Sequence, residues 1–129
     1  MKIGIDFHGV IDVNPEFFSI ITKLLVENKH EVHIITGLRK EDFELNPASI
    51  TIAYTHFYSI TYGLRNTSYM VDIHGRPRFD EYLWNTAKAI YCKDNKIDIM
   101  IDDTKEYAKY FSTPFLLTER IKWKKNIKY

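Results

Sequence analysis

The sequence predicts an α/β fold: a three-layer sandwich around a mainly parallel, Rossmann-like sheet, with a small insert or hairpin in place of a large cap. Three observations carry this. The short apolar runs at Ile3-Gly4-Ile5, Glu31 to Thr36 and Ile97 to Asp102 read as buried strands. Segments with apolar residues at helical spacing separate them. The order strand–helix–strand at the start of the chain is a βαβ unit, which makes its two strands parallel neighbours.

Taken in order, Lys2 to Asp6 is the first strand. Asn14-Pro15-Glu16 starts a helix, with a capping side chain, a proline at the first helical position and an acid in the first turn. Phe17, Phe18, Ile21, Leu24 and Leu25 continue it at helical spacing towards Lys29. Glu31 to Thr36 (EVHIIT) is the second strand, stopped by Gly37. Arg39 to Leu45 reads as a short polar helix broken at Asn46-Pro47. Ile50 to Ile60 is β-branched and aromatic and favours a strand, although Tyr54, Phe57 and Tyr58 also suit a helix. Tyr69 to Phe79 holds the turn signal His74-Gly75-Arg76-Pro77 and reads as a hairpin. A helix from Glu81 to Asp94, a strand from Ile97 to Asp102, a short helix through Tyr107 and Phe111, and a last strand from Phe115 to Thr118 complete the chain.

The 129 residues fit a single domain, 1–129, in which the segment 38–80 is a variable insert or small cap. Apolar residues make up 45% and charged residues 27%, ordinary for a globular protein, and the net charge of +1 gives no global attraction to nucleic acid or anionic lipid. The basic stretch Lys122 to Lys128 reads as a solvated terminus. Cys92 is the only cysteine, so no intrachain disulfide forms, and it sits in a helical apolar pattern as a core residue. No apolar run approaches a membrane span and no signal-peptide pattern opens the chain, so the expected location is cytoplasmic.

The chemistry is expected at strand ends. Asp6, Thr36 and Asp102-Asp103 each end a core strand, and parallel strands bring those ends to one edge of the sheet. Carboxylates crowded there repel one another unless a cation neutralises them, and hard oxygen ligands suit Mg²⁺. An aspartate is also a nucleophile toward phosphorus. The Thr36 hydroxyl and the Gly37 amide are candidate donors to phosphoryl oxygens, and one ammonium would offset charge in the transition state.

The set DFHGVID, HIITG, Lys88 and IDIMIDDT resembles the four motifs of the haloacid dehalogenase-like phosphohydrolase superfamily, in the same order. The motifs cover residues 1–37 and 80–118, and the lysine spacing resembles nucleotidase-like members with a small cap. The resemblance implies Asp6 as nucleophile and metal ligand, and Thr36, Gly37 and Lys88 as phosphoryl-binding groups, with Lys88 bridging the phosphoryl group to Asp6. It implies Asp102 as a direct metal ligand, with Asp103 beside it or acting through water. His8 would give its backbone carbonyl to Mg²⁺ and its side chain to acid/base work.

His8 is the departure, because the family usually has a second aspartate there. Three readings stay open. An imidazole, which titrates near neutrality, takes over the proton transfers. Alternatively the chemistry differs, as in phosphonate cleavage, or the protein is a degenerate relative that binds a phosphorylated ligand or a protein partner. The leading expectation is Mg²⁺-dependent hydrolysis of a small phosphomonoester, preferably a nucleotide, through an aspartyl-phosphate. A nucleic-acid end remains open as a larger substrate, and no membrane partner is expected. Among the remaining residues, Asp12 caps or orients the loop, and His30 and His33 are structural. His56 and His74 are weaker cleft candidates. Arg39 and Arg65 read as solvated, with substrate contact as the alternative. Tyr54, Phe57, Tyr58 and Tyr62 read as core packing, with a base-stacking wall as the alternative.

Overall fold

A computed structural model of the chain describes residues 1–119, so the basic stretch Lys122 to Lys128 lies outside the described residues. Its centre is a five-stranded sheet of β1 (Lys2–Ile5), β2 (Glu31–Thr36), β3 (His56–Ser59), β6 (Ile99–Asp102) and β7 (Phe115–Leu117), in the order β3-β2-β1-β6-β7. Every pairing in it is parallel. The hairpin β4 (Tyr69–Val71) and β5 (Pro77–Phe79) forms a separate antiparallel pair. The chain runs outward from β1 to β3, then crosses back to β6 on the other side of β1. That places the topological switch point between β1 and β6, where open α/β sheets offer a crevice beyond their carboxyl ends.

Two apolar layers hold the sheet. On one face, Ile3, Ile5, Val32 and Ile34 pack against Phe18, Leu25 and Val26 of α1 (Pro15–Glu27), together with Phe43 of α2 (Lys40–Leu45). On the other, Ile35, Ile97 and Met100 pack against Tyr91 and Cys92 of α4 (Glu81–Asp94). Strand parity explains the division, since Val32 and Ile34 point one way and Ile35 the other. Each such aliphatic side chain, fully buried, contributes about 1.5–3 kcal/mol. The helix starts are built as their residues suggest: Asn14 accepts from the Phe17 amide ahead of Pro15, and Asp80 accepts from the Leu83 amide (3.0 Å).

The segment between residues 38 and 80 does more than form a hairpin. It supplies strand β3, the buried Phe43, and Ile60 at the start of α3 (Ile60–Gly63). The strand expected over Ile50 to Ile60 is only four residues long. Asn46 caps the turn Pro47–Ser49, Ile52 drops into the core, and the Thr55 hydroxyl bridges to the Val32 backbone before pairing begins. Ser59 then ends the strand, because its side chain accepts from the Tyr62 amide and caps α3. Other elements are also shorter than their patterns: β6 starts at Ile99, β1 and β7 each end one residue early, at Ile5 and Leu117, α2 starts at Lys40, and α5 covers Lys105–Ala108 without reaching Phe111. No helix among the described residues is long and apolar enough to cross a membrane.

Candidate functional site

Asp6 directly follows β1, and its amide donates to the Ile101 carbonyl of β6 (3.0 Å), which locks the ends of these two strands together. Asp102 ends β6 and is fully buried. Between the two carboxylates lies the Lys88 ammonium, donating to Asp102 Oδ2 at 2.7 Å and lying 3.0 Å from Asp6 Oδ1. Lys88 is 3% exposed, on the buried stripe of α4 that runs through Trp84, Lys88 and Cys92 at four-residue spacing. A lysine in that position is held by its partners, since an unpaired buried ammonium would be strongly unfavourable.

The electrostatics follow from burial. Desolvation pushes the Asp6 carboxyl up to about 6, opposed by the Lys88 charge and reinforced by Asp102. Burial pulls Lys88 down, yet Asp6 and Asp102 outweigh it, and the ammonium ends above its ordinary value. At neutral pH Asp6 is therefore a carboxylate and Lys88 an ammonium. Asp103 is half-buried beside them, and carboxylate oxygens of Asp6, Asp102 and Asp103 lie within 4.8 Å of one another. Asp6 and Asp102 share the one ammonium of Lys88, which leaves negative charge that a cation would offset, and the all-oxygen donor set of Asp6, Asp102 and Asp103 fits a hard ion. The donor set therefore fits the Mg²⁺ that the motifs imply, without identifying it.

Two short turns shape the rest of the cleft. After Asp6 the chain makes an irregular turn over Phe7–Ile11, in which Gly9 has φ +83, a left-handed conformation that favours glycine. Asp12 ties this turn, accepting from the Gly9 amide (2.7 Å) through one oxygen and hydrogen-bonding His8 Nδ1 (3.0 Å) through the other. After β2, the Thr36 oxygen accepts from the Leu38 amide, and the Thr61 hydroxyl donates to the Gly37 carbonyl (2.6 Å). A Cβ on Gly37 would lie 2.8 Å from Trp84 Cζ2, so glycine lets the indole lie against this turn.

These groups enclose a cleft of ≈ 230 Å³ lined by Asp6, His8, Thr36, Gly37, Lys88 and Asp103, with Trp84, Thr104, Tyr107 and Ile60 completing its wall. Asp102 lies beneath, reached through Lys88. All the expected site residues thus converge on one place. The wall residues were not expected. Trp84 had a signal, its four-residue offset from Lys88, whereas nothing in the sequence marked Tyr107, which accepts a hydrogen bond from Trp84 Nε1 (3.1 Å).

Next to this cleft a wider one, ≈ 710 Å³, shares His8 and Gly37 and is lined by Arg39, His74, Arg76 and Arg78. His74 and Arg39 therefore line the adjoining cleft and not the acidic one. Arg65 lines a different groove with Tyr62, and His56 lies on β3 away from the cleft. The aromatic wall considered from the sequence does not form: Tyr54 and Phe57 pack on Phe43, and Tyr58 stacks on Tyr91 across the sheet's other face. Cys92 is a core residue, its thiol pushed up to about 12 by burial and so unreactive. Compared with protein-family models, curated proteins and solved structures, the chain matches none.

Proposed function

We propose that the protein is a Mg²⁺-dependent phosphohydrolase of the haloacid dehalogenase-like kind, cleaving a small phosphomonoester through an aspartyl-phosphate on Asp6. The observation that carries this reading is the buried bridge of Lys88 between Asp6 and Asp102 at the switch point of a parallel sheet. A fold gains little from burying two carboxylates and an ammonium, so their retention at a cleft favours a chemical use.

In this reading the Asp6 carboxylate, ionised at neutral pH, attacks phosphorus while the bond to the leaving oxygen breaks and His8 protonates that oxygen. His8 then takes a proton from water as it attacks the aspartyl-phosphate, releasing phosphate and restoring Asp6. Lys88 and the Thr36–Gly37 turn would hold the phosphoryl oxygens. Mg²⁺ held by Asp6, Asp102, Asp103 and the His8 main-chain carbonyl would supply charge neutralisation. The hydrogen bond that Asp12 accepts from His8 Nδ1 supports an active His8, because it holds one ring nitrogen and leaves the other for proton transfer. In the adjoining cleft Arg39 is paired with Asp42 and Arg78 with Asp72, and Arg76 favours a substrate with further negative charge, such as a nucleotide.

The test is phosphate release from a panel of nucleotides and an aryl phosphate with Mg²⁺, for wild type, Asp6→Asn and His8→Asp. Release that Asp6→Asn abolishes, with a pH profile altered by His8→Asp, is the expected result. No release from any substrate, or full activity in Asp6→Asn, sinks the reading.

A further inference from the structure

A second cluster of ligating side chains lies at the opposite end of the sheet. Glu31 and His33 share one face of β2, and His56 on β3 is the register partner of His33. Glu31 Oε1 is 3.5 Å from His33 Nε2 and 3.5 Å from His56 Nε2, and one ligand atom from each residue lies within 4.8 Å of the others. We propose that Glu31, His33 and His56 form a metal site for a borderline divalent ion of the zinc type, separate from the acidic cleft.

Four observations support it. First, His33 is 2% exposed, and its Nε2 is buried without a hydrogen-bond partner. An orphaned ring nitrogen in the interior is costly, and an ion would satisfy it. Second, the His33 ring is held by its other nitrogen, with Nδ1 2.7 Å from the Tyr91 hydroxyl. Partners on Nδ1 are the usual outer support of imidazoles that ligate through Nε2.

Third, the spacing suits coordination better than direct hydrogen bonding. Ligand atoms about 2.1 Å from a tetrahedral zinc are about 3.4 Å apart, close to the 3.5 Å between Glu31 Oε1 and His33 Nε2, whereas a charge-assisted hydrogen bond would be about 2.8 Å. Fourth, two imidazoles and one carboxylate suit zinc, while the all-carboxylate cleft suits a hard ion.

The two sites do not merge. Glu31 and Thr36 are at opposite ends of β2, about 17 Å apart along an extended strand. One rearrangement is required. The His33 and His56 rings are stacked, 4.1 Å between centroids and 5° from parallel, and stacked rings cannot both aim Nε2 at one ion. The His56 side chain is 47% exposed, so it has room to turn out of the stack while His33 stays in place. Bound this way, the ion staples edge strand β3 to β2.

The test is equilibrium dialysis of the full chain against Zn²⁺ in excess Mg²⁺, which occupies the acidic cleft, for wild type, His56→Ala, Glu31→Gln and Asp102→Asn. His56 and Glu31 are both solvent-accessible, and circular dichroism checks that the variants fold. Wild type and Asp102→Asn are expected to bind one Zn²⁺ per chain, and His56→Ala and Glu31→Gln to lose at least tenfold in affinity. Wild-type Tm should rise by roughly 10 °C at zinc a hundredfold above its Kd, with no such rise in His56→Ala. Co²⁺ in place of zinc should give the intense visible bands of a tetrahedral site in wild type and Asp102→Asn, and not in His56→Ala or Glu31→Gln. Absence of wild-type binding, retained binding in His56→Ala, or loss confined to Asp102→Asn overturns the proposal.

Discussion

Replacing Asp6 by asparagine keeps the shape of the side chain and removes one of the two carboxylates around Lys88. Two opposite effects are expected. Turnover disappears, because an amide is not a nucleophile toward phosphorus. The metal-free protein, however, becomes more stable. The Asp6 carboxyl sits at about 6 in the folded state and at 3.8 in the unfolded chain. Between those values the native state keeps a proton that the unfolded state has released, so stability falls as pH rises through this window. The loss is complete above about pH 6 and corresponds to roughly 3 kcal/mol. Asparagine remains a buried polar group, so the expected gain at pH 7.5 is about 1–3 kcal/mol, or roughly 5–10 °C in Tm. Thermal and urea unfolding in EDTA between pH 4 and 8 measures it. The two proteins should converge near pH 4 and separate by pH 7. Millimolar Mg²⁺ should narrow the gap by binding the native wild type. An Asp6→Asn protein less stable than wild type at pH 7.5 in EDTA, or a difference constant across this range, would refute the reasoning.

Lys88→Met removes the ammonium and leaves Asp6 and Asp102 buried against each other, so stability at pH 7.5 should drop by about 3–5 kcal/mol and recover in part below pH 5, as urea denaturation at the two pH values would show. Gly37→Ala drives a methyl group into the Trp84 ring, costing about 1–3 kcal/mol and changing the near-ultraviolet circular dichroism from that indole. Asp12→Ala frees the His8 ring and unties the Gly9 amide; kcat should fall by roughly tenfold or more with KM little changed, within the span of about 10²–10⁴ typical of acid/base groups.

The strands and the site were legible for the same reason. A buried parallel strand needs an unbroken apolar run, so a polar residue at its end stands out, and Asp6, Thr36 and Asp102 all do. Lys88 was legible as an ammonium needed nearby, and its offsets from Trp84 and Cys92 place it on the buried stripe. The segment from residue 38 to 60 was harder because its aromatics fit either a helix or a strand. Its register depends on contacts distant in sequence, such as the Thr55 hydroxyl on the Val32 backbone and Phe57 on Phe43. Tyr107 was invisible for a similar reason, since its role comes from a hydrogen bond to a residue twenty-three positions away.

His33 is the instructive case, because it was read as structural and the structure leaves its buried Nε2 without a hydrogen bond. The hydroxyls buried elsewhere are largely satisfied close by: Thr22 donates to the Phe18 carbonyl, Ser49 to Asn46 and Thr86 to Tyr82. Among the described residues, the buried acidic, basic and histidine side chains are Asp6, Lys88, Asp102 and His33. The first three answer one another at the carboxyl end of the sheet, where their mutual charge still calls for a cation. His33 has one nitrogen answered by Tyr91 and the other by no hydrogen bond, at the amino end of the same sheet. Burial of an ionisable group is unfavourable unless something compensates it. The same physical argument that selects the acidic cleft as a site therefore selects the histidine pair, and the chemistry of the donors separates the two: oxygen for a hard ion, imidazole for a softer one.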